Sequence, residues 1–279
     1  MSYKIVVDSC GELPEKLKED GHFQTVSLEL FVDDYHVTDD EHFNQKEFLR
    51  KVKESPNCPK SACPSPEAFQ EAYDCEADHV YAVTLSAQLS GSYNSAELGK
   101  NLYLEEKGEK KIHVFDSKSA SIGETLIAMK IQEYEEAGCS FEEVVAKVDA
   151  YIAEQNTYFV LETLETLRKN GRLSNIKAFV ASALNIKPVM GSTSEGSICQ
   201  LSQARGMGKA LDKMITMLLS RVKNPEQKIL AISHCNCPER AQTILEKVKS
   251  LGKFKDVFVI DTAGISSMYA NDGGVIMAV

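Results

Sequence analysis

Short apolar runs rich in β-branched residues recur along the chain, and longer stretches with helical spacing separate most of them. The runs YKIVVD (3–8), HVYAVTL (79–85), KIHVFD (111–116), TYFVLE (157–162), KILAIS (228–233) and DVFVID (256–261) read as strands. Some are apolar at nearly every position, as from Ile5 to Val7 and from Phe258 to Ile260. Such strands fit a parallel sheet covered by helices on both faces.

Between the strands, Leu126, Met129, Lys130 and Tyr134 precede Gly138 at helical spacing. Phe141, Val144, Val145, Val148 and Ile152 follow Ser140, which forms a capping box with Glu143. A third helix over Met207 to Val222 places Leu211, Met214, Ile215, Leu218 and Leu219 on one side and stops before Asn224 and Pro225. Thr25 to Val37 alternates loosely around Asp33 and Asp34 like a hairpin, and the four prolines of Ser55 to Pro66 favour an extended loop leading into a helix. The pattern predicts the α/β class. No low-complexity linker or internal repeat marks a boundary, so the boundary is placed near Tyr151 to Thr157, where two adjacent helices give way to a new strand.

A chain of 279 residues with 43% hydrophobic content can bury a sizeable core, and its length favours two domains of ordinary size. Its net charge of −10 argues against a nucleic-acid partner, which is usually met by a basic face. The apolar run before Asp8 is too short for a signal peptide, and no stretch is long enough for a membrane span, so a cytoplasmic location and no stable membrane insertion are expected. The eight cysteines lack the spacing of a secreted disulfide framework and are expected to be reduced. Cys235 and Cys237 follow His234, yet no second ligand pair accompanies them, so no metal is expected.

Among catalytic signatures, no G-x-S-x-G elbow, HExxH or P-loop is present; Gly191 to Gly196 has P-loop glycine spacing, but Ser197 replaces the lysine and the segment reads as a β-turn. Gly206 and Gly208 do not follow a strand in a dinucleotide-binding arrangement. Two hydroxyl-rich segments hold more chemistry: Ser61-Ala-Cys-Pro-Ser-Pro66 and Leu89-Ser-Gly-Ser-Tyr93. The second joins a strand to a helix, where amide N–H groups and the helix dipole converge on an anion and Gly91 permits close approach. Local physics alone favours reading Ser65, Ser90 and Ser92 as helix caps. Asp8-Ser9, at the end of the first strand, likewise favours capping over ligand contact. His36, His42 and His113 lack a serine and acid in triad relation and read as structural or exposed.

Taken in order, VVDSCGELP with Asp8 to Pro14, KSACPSP at Lys60 to Pro66, LSGSY at Leu89 to Tyr93, FDSKSAS at Phe115 to Ser121, NGRLSNIKAF at Asn170 to Phe179, LNIKPV at Leu184 to Val189 and the single Arg205 after a strand resemble the DegV family of bacterial fatty-acid-binding proteins. The resemblance implies a larger N-terminal α/β domain (1–155), with a mostly parallel sheet, flanking helices and the head-group loops. It also implies a smaller C-terminal α/β domain (156–279) covering an acyl tunnel. By this resemblance the carboxylate is held by Ser61, where the family usually has threonine, and by Ser90, with Gly91 and Ser92 adding backbone N–H contacts. Serine keeps threonine's donor with a less restricted rotamer. Ala62 stands where serine is usual, and Ala270-Asn-Asp-Gly-Gly274 replaces a histidine and Gly-Pro-Gly turn, so Asp272 is expected to face solvent rather than the carboxylate.

The resemblance implies a monomeric, non-enzymatic carrier without a cofactor, whose bound long-chain fatty acid is presented to a fatty-acid kinase that makes the acyl phosphate for lipid synthesis. Arg172, Lys177 and Arg205 are candidates for the partner surface or for structural ion pairs. Two other readings remain at this level: a serine hydrolase or acyltransferase with Ser90 as nucleophile, and a lipid-sensing regulator without kinase coupling.

Overall fold

The computed structural model of the chain describes residues 2–173 and 185–279, so Lys177 and the middle of the 170–189 motifs lie outside the described residues. The chain opens with β1 (Tyr3–Asp8), α1 (Glu15–Lys18) and β2 (Phe23–Val26), then a hairpin of β3 (Glu29–Val32) and β4 (Tyr35–Thr38). After it come α2 (Gln45–Glu54), β5 (Lys60–Ala62), α3 (Pro66–Tyr73), β6 (His79–Thr84), α4 (Ser92–Lys107), β7 (Lys111–Asp116), α5 (Ile122–Glu136) and α6 (Phe141–Glu154). The remainder runs β8 (Thr157–Val160), α7 (Glu165–Lys169), β9 (Ile186–Ser192), β10 (Ile198–Arg205), α8 (Met207–Arg221), β11 (Ile229–His234), α9 (Pro238–Leu251), β12 (Asp256–Asp261), α10 (Gly264–Ala270) and β13 (Val275–Ala278).

The first sheet is fully parallel in the order β2-β1-β6-β7. Successive side chains of a strand point to opposite faces, and here both faces are covered. Ile5 and Val7 pack with Ile127, Ile131, Val144 and Val148 of α5 and α6, whereas Val6 packs with Phe69, Tyr73 and Ala96 of α3 and α4. The predicted capping box at Ser140 and Glu143 is present at the start of α6.

The second sheet has the order β10-β9-β8-β13-β11-β12, antiparallel except for the β11–β12 pair. One of its faces is covered by Leu211, Met214 and Leu218 of α8 and by Ile244 and Val248 of α9. The other meets Ile122 and Leu126 of α5. Helix α5 is thus sandwiched between the two sheets, which explains why Ile122 through Ala128 are all buried rather than only one stripe.

Two details depart from the pattern read in the sequence. Phe258 to Ile260 are only half buried, because β12 is an edge strand and has no neighbour on one side. The hairpin is shorter than Thr25 to Val37, since Thr25 and Val26 belong to β2 of the parallel sheet and the turn falls at Asp33, with φ of 51°. The proline-rich loop contains β5, which pairs with β3 to complete a small antiparallel sheet in the order β4-β3-β5. Against that sheet packs α10, late in sequence, with Ile265 and Met268 beside Leu28, Leu30 and Phe48.

Candidate functional site

The carboxyl ends of β1, β6 and β7 open toward the second sheet, and the turns that follow them are held together by buried hydrogen bonds. Asp8 accepts from the Leu85 amide at 2.8 Å, the Cys10 amide at 3.1 Å and the Ser92 hydroxyl at 2.5 Å. In α/β proteins ligands gather at this end of a parallel sheet. Here a cavity with ≈ 740 Å³ of empty space, its open mouth included, separates these turns from β8, β9, β13 and α10. Leu85, Leu161, Leu167, Phe159, Ile198 and Ile276 give it an apolar wall.

Four of the hydroxyls in that wall, on Ser119, Ser121, Thr157 and Ser266, are occupied by protein partners. Ser119 and Thr157 bond each other at 2.6 Å, Ser121 donates to Glu12 at 2.8 Å, and Ser266 donates to the Cys10 carbonyl at 3.4 Å. A satisfied hydroxyl offers little to a ligand, so these stretches behave as apolar surface. The β9–β10 turn closes one side: the Ser86 hydroxyl donates to the Gly196 carbonyl at 2.9 Å. Gly196 has φ of 90° and a side chain there would collide with Ser86 and Lys118, so glycine is required for this closure.

Behind the wall lie four buried carboxyls, Asp8, Glu12, Asp39 and Glu124, and among the described residues no Lys, Arg or His pairs with any of them. Burial pushes Glu12 up to about 7 and Asp39 up to about 6. Burial, and then the charge of Asp8, hold Glu124 well above the ordinary carboxylate range. The raised values let Glu12 and Glu124 keep their protons in a dry interior, while Asp8 and Asp39 accept hydrogen bonds on both oxygens. Burial likewise raises the Cys10 thiol, which leaves it a poor nucleophile.

Ser61, Ser90, Gly91 and Ser92, expected to hold the carboxylate, are not in the cavity lining; they lie near its Leu89–Arg172–Tyr269 edge. Ser61, on β5, pairs in register with Leu30 and lies near Tyr269, whose phenol burial raises above its ordinary value. Ser90 precedes α4; its hydroxyl accepts from the Ser92 amide at 3.2 Å. A methyl group on Gly91 would lie 3.1 Å from Cys63 Sγ, so the two hydroxyl-rich segments, distant in sequence, are neighbours. The Ser92 hydroxyl is buried and committed to Asp8. Ser65 caps α3 by accepting from the Ala68 amide.

Arg172 was legible as a cation but not as a cavity residue. Its guanidinium donates to the Leu89 carbonyl at 3.1 Å and the Asn170 carbonyl at 2.5 Å and lies 5.9 Å from the Tyr269 ring centroid. Among the described residues no carboxylate pairs with it. The other cation in the lining, exposed Lys118, has Glu195 nearby, whose carboxyl is held low first by Ser194 and to a smaller extent by Lys118. Arg205 is exposed, and so is Asp272, which accepts from Asn236 at 3.0 Å and faces away from the cavity as expected. Ala270 is buried in the cavity wall, and its small side chain leaves space there. The histidines pair with carboxylates (His22, His36, His42, His79 and His234) or stack (His113), and among the described residues none bonds Ser90. Among the described residues no metal-binding cluster occurs and no helix is long and apolar enough to cross a membrane.

A family model described as an uncharacterised protein family, DegV, matches residues 2–277. A DegV domain-containing protein of Streptococcus pyogenes serotype M1 is 35% identical over 279 residues, covering 99% of each chain. The crystal structure of a DegV-family protein from Ruminococcus gnavus, refined with vaccenic acid, is 58% identical and superposes with a TM-score of 0.97 over 100% of both chains. The fatty acid kinase (Fak) B3 protein of Streptococcus pneumoniae, crystallised loaded with linoleic acid, is 32% identical, with a TM-score of 0.89 over 100% of this chain and 99% of that one.

Proposed function

Because this chain belongs to the DegV family, we propose that it is a carrier that binds one long-chain fatty acid, with the tail in the cavity between the two sheets and the carboxylate at the Leu89–Arg172–Tyr269 edge. The observation that carries the reading is an apolar cavity, with the hydroxyls of Ser119, Ser121, Thr157 and Ser266 already bonded, ending beside a guanidinium that has no carboxylate partner among the described residues. An acyl chain suits the wall and an anion suits the edge. Ser61 and Ser90 supply hydroxyl donors to the carboxylate and Gly91 a backbone N–H, while Ser92 fixes the turn through Asp8.

Burial of the tail supplies the affinity. Each methylene removed from water contributes about 0.8 kcal/mol, so affinity should rise about fourfold per added carbon until the cavity is full. The check is extraction and native mass spectrometry of the protein as purified, then calorimetry over a series of saturated acids. A copurified fatty acid and that chain-length slope are expected. A chain that carries no acid and binds none of the series would overturn the carrier reading.

We further propose that the carboxylate is presented to a fatty-acid kinase, a reading supported by the similarity to the Streptococcus pneumoniae protein and by the position of the edge beside surface loops. A cavity between two sheets shields both an insoluble acid and a hydrolysable acyl phosphate. Acyl phosphate should form from ATP and fatty acid when this chain and the kinase are combined. Equal formation without the chain would leave a sensor role instead.

A further inference from the structure

We propose that Asp39 is a positioning residue for the head-group end of the cavity: from the N-terminal half of the chain it fixes α10, and so places Tyr269 and Ala270 in the cavity wall. The proposal rests on the fatty-acid reading above and adds a residue that does not itself line the cavity.

The geometry is specific. Asp39 is 2% exposed and follows the β3–β4 hairpin. Its Oδ1 accepts from the Gly264 amide at 2.6 Å, and its Oδ2 from the Ile265 amide at 2.8 Å and the Ser9 hydroxyl at 3.0 Å. Ser9 is itself fixed, since its hydroxyl accepts from the Leu28 amide at 3.0 Å. The start of α10 is therefore clamped by a carboxylate from a distant part of the chain. Position 264 is matched to it: a Cβ there would lie 2.6 Å from Asp39 Oδ1 and 2.6 Å from Leu30 Cδ1, so only glycine admits the clamp without displacement.

From this end the helix reaches the site. A seven-residue helix spans only about 10 Å at about 1.5 Å per residue and moves as a rigid unit. Ile265, Ser266, Tyr269 and Ala270 face the cavity, and the Tyr269 ring meets the Arg172 guanidinium. Gln45 adds a second fastening, donating to the Thr262 carbonyl at 3.0 Å and the Ser267 hydroxyl at 3.1 Å, but it does not touch the two amides that Asp39 holds. Losing the carboxylate frees the first turn, and the shift passes along the helix to the edge that meets the head group.

The test compares palmitic acid with hexadecanol, which share a tail and differ in the head group. In Asp39→Asn one oxygen acceptor is lost, so affinity for the acid should fall about tenfold while that for the alcohol changes less than about twofold. A purely structural role would weaken both ligands alike, leaving the acid-to-alcohol ratio where it is in wild type. That result, or no change in either affinity, overturns the proposal. Should Asp39→Asn fail to fold, Ser9→Ala decides, because it removes the hydrogen bond donated to Asp39, along with the one accepted from the Leu28 amide, and leaves the carboxyl in place: a lowered ratio supports the clamp and an unchanged ratio sinks it. Wild-type protein that binds neither ligand overturns the fatty-acid reading and this proposal with it, whereas wild-type discrimination retained in the variant overturns the clamp alone.

Discussion

Replacing both Ser61 and Ser90 by alanine is expected to weaken binding of a long-chain fatty acid by about 100-fold. A hydrogen bond to a charged group is worth about 1.5–3 kcal/mol, and two lost together, partly replaced by water at this half-buried edge, leave a deficit of about 3 kcal/mol. The fold should tolerate the change. Ser61 is half-buried on the edge strand β5, and Ser90 contributes one amide contact at the start of α4, worth about 1 kcal/mol at most. Calorimetric titration of wild type and variant with one acid, alongside thermal melts of both, is the measurement. If the variant binds as tightly as wild type, the hydroxyls do not hold the carboxylate and the head group is left to Arg172 and Tyr269; the cavity as the tail's place is unaffected.

The second large effect concerns stability rather than binding. Glu12 is fully buried and titrates at about 7 in the folded chain against an ordinary 4.5, with burial as the leading cause and the hydroxyls of Ser266 and Ser121 opposing it. Below the unfolded value both states hold the proton and Glu12 gives no pH dependence. Between 4.5 and about 7 the unfolded chain releases its proton while the folded chain keeps it, so folding loses about 1.4 kcal/mol per pH unit. The loss should reach about 3 kcal/mol by neutral pH and level off above it. Asp39 at about 6, and Glu124, act in the same direction. His234, whose pKa burial lowers, acts against them, so a variant is needed to isolate Glu12. Melting temperatures from pH 5 to pH 8 should fall in wild type and fall less steeply in Glu12→Gln. An unchanged slope in that variant would show that Glu12 is already ionised in the folded protein.

Much of the fold was legible because its signals are local. The strands at 3–8, 79–84, 111–116 and 256–261 lie where unbroken apolar runs put them, and the capping box at Ser140 needs only residues within one turn. Where a signal depended on neighbours, it misled. Phe258 to Ile260 look like the centre of a sheet, but the edge position of β12 is a fact of sheet order, which no local window contains. Strands β9 and β10 are more polar and carry glycines and serines, so they did not stand out, although they form much of the cavity wall.

The candidate site divides along the same line. Ser61 and Ser90 are proposed as head-group donors on ordered motifs alone, because local physics could not tell such a donor from a helix cap. The roles of Arg172, Tyr269 and Asp39 had no sequence signal of their own. Arg172 is one of 31 cations, and Asp39 one of 41 acids. Their meaning comes from contacts spanning 83 residues in the case of Arg172 with Leu89 and 225 in the case of Asp39 with Gly264.

By itself, then, the sequence determined most of the elements, the α/β class and the family, since apolar periodicity, caps and motif order are properties of short stretches. Only the tertiary structure decided that two hydroxyl-rich loops meet, that a helix near the end of the chain is seated on the N-terminal domain, and that an apolar cavity opens beside an arginine. Burial is the physical reason: whether a polar group is costly, satisfied or available depends on what the rest of the chain brings against it, and that is set by packing.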